Sequence, residues 1–369
     1  MSCARSTETK DNRKPCPSQT STYLESRLKS QAYKILPTYH DDKSACDAID
    51  KRLTNYKGVP PTKEIAELRQ LEKDETYWTA STFISLFESD HCVDILKKLL
   101  IKNFGELPPF KSDTTWDELL GKREDLQLIL EAVVPAPKQY RDFLITASRN
   151  RILIPYMMQQ LKPGCLHTRT SAFEGSTQVD ALIINTKLDK PFCIFIEAKV
   201  LSDISPSITY DVMRNQIARN LDVMLTDSPG SEDHTVKKST KPEERKSLSK
   251  KIDKDNSLFL LLTPRVFKEN PGSRLYGYKM REYKYNPLNI NADLIHRKDI
   301  TDWNAVADRI GWTTWEDIWE IGDRYNAMGK DKIFMRNFPD IIETCHECVR
   351  ESVKEASSLL KESLNPGSA

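Results

Sequence analysis

Three short apolar runs in the second half of the chain constrain its fold most strongly. They cover residues 179–185, 192–199 and 257–263, and they are rich in β-branched, aromatic and leucine residues. Each run has the length of a β-strand and is far shorter than a membrane-spanning helix requires. The runs therefore predict strands of one central sheet, and the continuous apolar character of the last run predicts that it is buried.

The segments around these runs have helical or strand-like spacing. Residues 138–161 are predicted to be helical, 165–173 to form another strand, and 210–225 to form a helix with an apolar stripe. The resulting order is helix, three strands, helix and strand. We therefore predict an α/β (α+β) core over residues 138–265, with a polar and basic insertion at 226–256.

The remaining segments are predicted to flank this core. We expect a disordered tail at residues 1–20, a helical N-terminal region at 21–137, and a mostly helical C-terminal extension at 266–369. Within the N-terminal region, residues 81–104 and 116–134 have helical spacing. Within the C-terminal extension, helices are predicted at 303–310, 314–325 and 340–364.

Composition restricts the class of protein more than its activity. The chain has 369 residues, of which 38% are hydrophobic and 30% charged, and its net charge is +1. It is long enough to bury a full core, and it carries eight cysteines without an apolar leader segment. We therefore expect a cytoplasmic protein with reduced thiols that does not enter a membrane. A zinc site at Cys345 and Cys348 is disfavoured because no second ligand pair lies nearby in the sequence.

Charged residues interrupt two of the apolar runs. Because side chains alternate along a strand, Glu197 and Lys199 are expected to point the same way. A short turn between the two strands would bring Asp180 beside them. Unpaired charges in a buried strand are costly, so a functional reason is expected. Two carboxylates and a lysine are suited to phosphodiester hydrolysis with a divalent cation.

Asp180 followed by Glu197-Ala198-Lys199 resembles the signature of the PD-(D/E)XK, or restriction-endonuclease-like, nuclease superfamily. The predicted element order is similar to the αβββαβ core of that family, although Val179 replaces the proline of the motif. The resemblance implies that Asp180 and Glu197 bind Mg²⁺ or Mn²⁺, that Lys199 is catalytic, and that Gln216 positions water or phosphate. It also implies an acidic ligand on the first helix. Asp142 is the preferred candidate for that ligand, and Glu131 and Glu174 are the alternatives.

Further residues are candidates for contact with nucleic acid, for which DNA is favoured over RNA. Arg219 and Asn220 share a helix face with Gln216. Lys237 and Lys238 lie in the basic insertion, where lysines are suited to bind phosphate. A homodimer or a partner from a defence system is a further expectation.

Several alternatives to these assignments stay open. The charged residues of the strands could form a structural ion pair, and the helix face and the basic insertion could simply be solvated. At the level of function, a nuclease-fold module that binds without cutting and an RNA-processing nuclease are the rival hypotheses.

Overall fold

The computed structural model of the protein describes residues 75–110, 113–146, 176–208, 211–226, 252–325 and 327. The described part is a mixed α/β fold. Its strands are β1 (Leu126–Val134), β2 (Thr177–Asn185), β3 (Phe192–Ala198), β4 (Ser257–Thr263) and β5 (Ile310–Thr314). Its α-helices are α1 (Glu75–Glu88), α2 (Cys92–Phe104), α3 (Trp116–Leu120), α4 (Lys138–Thr146), α5 (Gln216–Met224), α6 (Arg265–Glu269), α7 (Leu275–Tyr285), α8 (Leu288–Asp293), α9 (Trp303–Asp308) and α10 (Trp315–Arg324).

The strands form one open sheet in the order β1-β2-β3-β4-β5. Strands β1, β2 and β3 are antiparallel neighbours, although α4 lies between β1 and β2 in the chain and not ahead of all three strands as predicted, whereas β4 runs parallel to β3 and β5 runs parallel to β4. A parallel connection needs a crossover, and α5 lies within the crossover from β3 to β4. The sheet is therefore mixed, with its only parallel pairs among the described strands at the β5 side.

Apolar side chains fill both faces of this sheet. On one face, helices α1, α2, α3 and α10 pack against alternate residues such as Ile194 and Leu260. On the other face, helices α5 to α9 cover the intervening residues such as Phe195 and Leu261. Every residue of β3 and of β4 is buried, which explains why their sequences lack a polar face.

The structure confirms several predicted elements. Strands β2, β3 and β4 coincide closely with the predicted runs, and the segment predicted as helical at 81–104 contains the end of α1 and all of α2. The helix predicted at 210–225 is shorter, because the chain is not helical before Gln216. The predicted strand at 165–173, the helix at 340–364 and the tail at 1–20 lie outside the described residues.

The predicted helix over residues 116–134 is wrong. Thr115 and Glu118 form a reciprocal capping box that starts α3, but Gly121 ends the helix in a positive-φ conformation (φ 62°). The chain then forms β1, which pairs with β2 along its length. The sheet thus extends into the region that we predicted to be helical, and β5 extends it into the C-terminal extension as well.

Strand β1 changes face next to Glu131. Leu130 packs into one hydrophobic core and Ala132 into the other, although strict alternation would place them on the same face. Between them, Glu131 has φ 51°, which is the left-handed region that side-chain-bearing residues rarely occupy. The register places Glu131 across from Asp180 of β2, so the distortion lies beside a predicted site residue.

Among the described residues, no helix combines the length and the apolar character that crossing a membrane requires.

Candidate active site

Pairing of β2 with β3 places Asp180 next to the end of β3. Ala181 pairs with Ile196, so Asp180 lies level with Glu197, and its carboxylate accepts a hydrogen bond from the Ala198 backbone N–H at 2.8 Å. The predicted proximity of Asp180 to the Glu197-Ala198-Lys199 segment is confirmed. Asp180 is partly buried, whereas the sheet hides Glu197 completely.

Three donors converge on the carboxylate of Glu197. Lys199 Nζ and Gln216 Nε2 each lie 2.5 Å from Oε1, and Asn220 Nδ2 lies 2.6 Å from Oε2. The contact between Lys199 and Glu197 confirms that both side chains point to the same side of the strand. Because all three contacts are donated to Glu197, they favour its ionised form, which can accept at both oxygens.

The side chain of Lys199 is 3% exposed and lies between two carboxylates. Its Nζ is 3.3 Å from Glu75 Oε2 as well as 2.5 Å from Glu197, and it also donates to the Ala198 carbonyl at 3.0 Å. The backbone of Lys199 is also hydrogen-bonded on both sides of its Cα. Its N–H donates to the Leu262 carbonyl, and its carbonyl accepts from the Trp315 indole N–H. This lysine is therefore held in one place by both strand pairing and ion pairing.

Glu75 of α1 is a site residue that the sequence analysis missed. In addition to Lys199, its carboxylate accepts hydrogen bonds from the Val200 N–H at 3.3 Å and from the Ser202 hydroxyl. It is separated from Lys199 by 124 positions in the sequence. No local pattern distinguishes Glu75 from nearby acidic residues such as Glu72, so only the tertiary fold reveals its position.

We refer to Glu75, Asp180, Glu197 and Lys199 as the carboxylate cluster. It contains three carboxyl groups and one ammonium group, so full ionisation leaves an excess of negative charge. Burial and then the neighbouring Glu197 charge raise the pKa of Asp180 well above its usual range. Burial also raises the pKa of Glu197, although Lys199 and Asn220 oppose that shift.

The direction of the pKa shift of the Lys199 ammonium group is set by the neighbouring carboxylates and not by burial. Burial by itself lowers its pKa, but the carboxylates of Glu197, Asp180 and Glu75 outweigh burial and hold the pKa well above its usual range. Lys199 is therefore protonated at neutral pH in this arrangement. It can donate hydrogen bonds and neutralise negative charge, but it has no free lone pair with which to accept a proton.

Helix α5 positions two of the residues that contact Glu197. Asn215 caps its N-terminus by accepting from the Ala218 N–H at 2.9 Å, which places Gln216 in the first turn and Asn220 one turn later. Both amides then face β3. Asn220, which was predicted to contact nucleic acid, is fully buried, and its amide donates to Glu197. Arg219 is partly exposed on the same helix.

The other predicted residues lie apart from this cluster or outside the described residues. Asp142 on α4 is 57% exposed and forms an ion pair with Lys138 at 3.7 Å, so the acidic residue that meets Lys199 is Glu75 rather than Asp142. Glu131 lies across from Asp180, as described above. Glu174, Lys237 and Lys238 lie outside the described residues.

A second buried cluster of charged residues surrounds Asp222, which lies on α5. Asp222 contacts Arg214 at 2.8 Å, His296 at 2.9 Å and Arg297 at 3.2 Å, and all four side chains are nearly or fully buried. Although burial alone would raise it, the pKa of Asp222 is held far below its usual range by Arg214, His296 and Arg297. We refer to these four residues as the Asp222 cluster.

The oxygen ligands of the carboxylate cluster fit a divalent cation chemically. Asp180 and Glu197 supply hard oxygen donors, and their excess negative charge is what such a cation would neutralise. No group of three or more acidic, histidine or cysteine side chains in the described residues is already arranged to hold a metal. In this structure the ammonium group of Lys199 lies against the Glu197 carboxylate.

Comparison of this chain with protein-family models, with curated proteins and with solved structures finds no match.

Proposed function

We propose that this protein is a metal-dependent nuclease that hydrolyses phosphodiester bonds, preferentially in DNA, on a restriction-endonuclease-like core. The observation that carries the proposal is the gathering of three carboxyl groups at the end of β3, where Glu75 and Glu197 contact the buried Lys199 and Asp180 accepts from the adjoining Ala198 N–H. A structural ion pair would balance one charge with one, whereas this cluster holds surplus carboxylates whose pKa values are raised. Perturbed, buried carboxyl groups of this kind are typical of functional sites.

The topology supports the same proposal. From β2 onward the chain runs through two antiparallel strands, helix α5 and a strand parallel to β3, which is the order that the resemblance implies for these elements. The order differs before β2, because α4 lies between β1 and β2 in the chain. Helix α1 contributes Glu75, an acidic residue on a helix ahead of β1, whereas the resemblance led us to expect this residue on the helix at 138–161.

Asp180 and Glu197 are the proposed ligands of Mg²⁺ or Mn²⁺, and Glu75 replaces Asp142 as the additional acidic residue. When bound, the cation supplies Lewis-acid stabilisation of charge on the phosphoryl group. Lys199, which is protonated, neutralises developing negative charge and orients the attacking water by donating to it. Gln216 holds Glu197 in position through its amide, and its own carbonyl accepts from the Ser205 N–H at 3.4 Å.

Cleavage assays test this proposal directly. Purified protein is incubated with plasmid, linear duplex, single-stranded DNA and RNA, each with Mg²⁺, Mn²⁺ or EDTA. We expect cleavage that EDTA abolishes. Lys199→Ala is expected to lose at least about 100-fold in rate, since general acid–base and electrostatic contributions are of that order. The matched control is Lys187→Ala, which removes an exposed lysine from the turn between β2 and β3.

Metal binding separates the catalyst from a module that only binds. Glu197→Gln keeps the shape of the side chain and should weaken Mn²⁺ affinity measured by calorimetry, whereas Glu269→Gln on the surface should not. Circular dichroism verifies that the variants fold. Cleavage that persists in Lys199→Ala, or in EDTA, would refute the assigned roles. RNA cleavage without DNA cleavage would keep the chemistry and change the substrate.

A further inference from the structure

A cleft of about 580 Å³ lies beside β5, at the edge of the sheet. Five elements form its walls: the end of α2, helix α6, the second half of α7, helix α9 and the edge strand β5. Its lining includes Lys102, Lys268, Arg281, Lys284, Tyr285 and Trp312. None of these residues belongs to the carboxylate cluster, so the cleft is a separate feature.

Every charged side chain that lines this cleft is basic. Lys102 is neutralised by Asp317 at 2.6 Å, but Arg281 and Lys284 are exposed and form no ion pair with any described residue. Lys268 is partly buried and donates to the Trp312 carbonyl. Burial lowers the pKa of Lys268, and although the Asp317 carboxylate opposes that shift, the positive charges of Lys102, Arg265 and Lys284 add to it. The cleft thus gathers basic side chains, of which Arg281 and Lys284 are exposed, in a protein whose overall net charge is close to zero.

Aromatic rings accompany this charge. Tyr285 ends α7 with 93% of its surface exposed, which is unusual for a large side chain with an apolar ring. Trp312 lines the floor of the cleft, where its indole donates to the Thr263 hydroxyl at 2.8 Å. Exposed aromatic rings beside basic side chains are suited to stack bases while the cations bind phosphates.

The sheet register relates the cleft to the carboxylate cluster. Glu197 pairs with Leu261, and Leu261 pairs with Trp312, so the three residues are level across β3, β4 and β5. Neighbouring strands are about 4.8 Å apart, which puts Trp312 roughly 10 Å from Glu197 across the sheet. A polymer bound at one site is therefore long enough to contact the other.

From this arrangement we infer that the cleft beside β5 binds the sugar-phosphate backbone of a single-stranded nucleic-acid segment, with a base stacked on Tyr285. Arg281 and Lys284 bind phosphates at the rim, and Lys268 adds positive charge inside the cleft. The inference that the bound nucleic acid continues from the cleft to the carboxylate cluster rests on the proposed nuclease function. The binding itself does not, because it depends only on the charge and the aromatic ring of the cleft.

Binding in EDTA tests the inference without cleavage. Fluorescence anisotropy of a labelled oligonucleotide, single-stranded or duplex, is measured with the full chain over a range of salt concentrations. Arg281→Glu combined with Lys284→Glu should weaken binding of the single strand roughly tenfold and reduce the salt slope by about 0.7 for each lost phosphate contact. Lys187→Glu combined with Lys298→Glu is the control, because it makes the same charge change at exposed positions outside the cleft.

Tyr285 provides a second, smaller change. Tyr285→Ala should weaken binding of the single strand about fivefold or more and binding of the duplex less, because only unpaired bases expose a face for stacking. Tyr285→Phe keeps the ring and should bind like the wild type. Since the side chain is almost fully exposed, neither substitution disturbs the core.

The outcomes separate this inference from the proposed function. Equal affinities and salt slopes for the cleft variant and its control would overturn the inference even if the protein cuts DNA. Absence of nucleic-acid binding by the wild type, or cleft-dependent binding of polyglutamate in its place, would also overturn it. Cleft-dependent binding by a protein that cuts nothing would support the inference and remove the nuclease proposal instead.

Discussion

Helix α5 contacts two buried charged clusters that have opposite charge composition. The carboxylate cluster has three carboxyl groups around one lysine, two of them in contact with it, whereas the Asp222 cluster presents two arginines and a histidine to one carboxylate. The pKa of Asp222 is accordingly lowered, while the pKa values of Asp180 and Glu197 are raised. Buried carboxyl groups in the two clusters therefore have pKa values shifted in opposite directions.

A carboxylate with a lowered pKa stabilises the fold, and one with a raised pKa destabilises it at neutral pH. The Asp222 cluster therefore behaves as part of the framework that holds α5. In the carboxylate cluster, the raised pKa values of Asp180 and Glu197 mean that ionising these two groups opposes folding at neutral pH. Four experiments can break or sharpen this distinction.

Neutralising one aspartate in each cluster should give the largest difference. Asp222→Asn removes the carboxylate that contacts the buried Arg214 and one of the two carboxylates that contact Arg297, and we expect it to lower the free energy of unfolding by about 3–5 kcal/mol. Asp180→Asn keeps an acceptor for the Ala198 N–H while removing a carboxylate with a raised pKa. It should leave stability unchanged or increased. Urea denaturation without metal measures both, and equal losses would contradict the distinction.

The pH dependence of stability should follow the Asp222 carboxylate. Its pKa in the folded state lies below the ordinary value of 3.8, so its contribution is fully present above pH 3.8 and is lost as pH falls toward the folded-state value. One carboxyl group contributes at most about 1.4 kcal/mol per pH unit. The stability difference between wild type and Asp222→Asn should therefore shrink in acid. A difference that stays constant from pH 7 to strong acid would show that Asp222 does not act through its charge.

Two buried tyrosine hydroxyls, one with and one without a hydrogen-bond partner, allow a similar comparison for uncharged groups. Tyr283 donates to Asp293 at 2.5 Å, so Tyr283→Phe should cost about 1.5 kcal/mol or more. The Tyr276 hydroxyl is buried with no hydrogen-bond partner in the described part of the chain. Tyr276→Phe should then be neutral or slightly stabilising. Thermal denaturation distinguishes them, and a larger loss for Tyr276→Phe would reveal a partner for that hydroxyl.

The smallest effect is expected at Glu131, next to Asp180. A side-chain-bearing residue in the left-handed region costs roughly 1–2 kcal/mol, and glycine avoids most of that cost. Because Glu131→Gly and Glu131→Ala remove the same carboxylate, their difference isolates the backbone. We expect the glycine variant to be more stable by about 1 kcal/mol. A more stable alanine variant would argue against strain at this position.

The sequence predicted the parts of the fold and site that local patterns determine. Period-two and apolar runs identified β2, β3 and β4, and the alternation of Glu197 and Lys199 placed them on one side of a strand. Asp180 followed from the short turn between the two strands. Each of these inferences uses residues that are close in sequence.

Long-range pairing limited what the sequence could show. Strand β1 was predicted as helix because its leucines fit either period, and its pairing partner β2 lies about fifty residues away. Glu75 has no local signature, since its role arises only when α1 packs beside the end of β3. The polar face shared by Gln216 and Asn220 was predicted, but not that Asn220 turns inward to Glu197.

The contact between Lys199 and Trp315 has a consequence for the order of events during synthesis. Trp315 follows Lys199 by 116 residues, and its indole holds the backbone at the end of β3. Loops of this length close late in folding, because their entropy is lost before their contacts form. A growing chain that ends before Trp315 therefore lacks the indole that donates to the Lys199 carbonyl. If the protein cuts nucleic acid, we expect it to acquire that ability only after Trp315 has been synthesised.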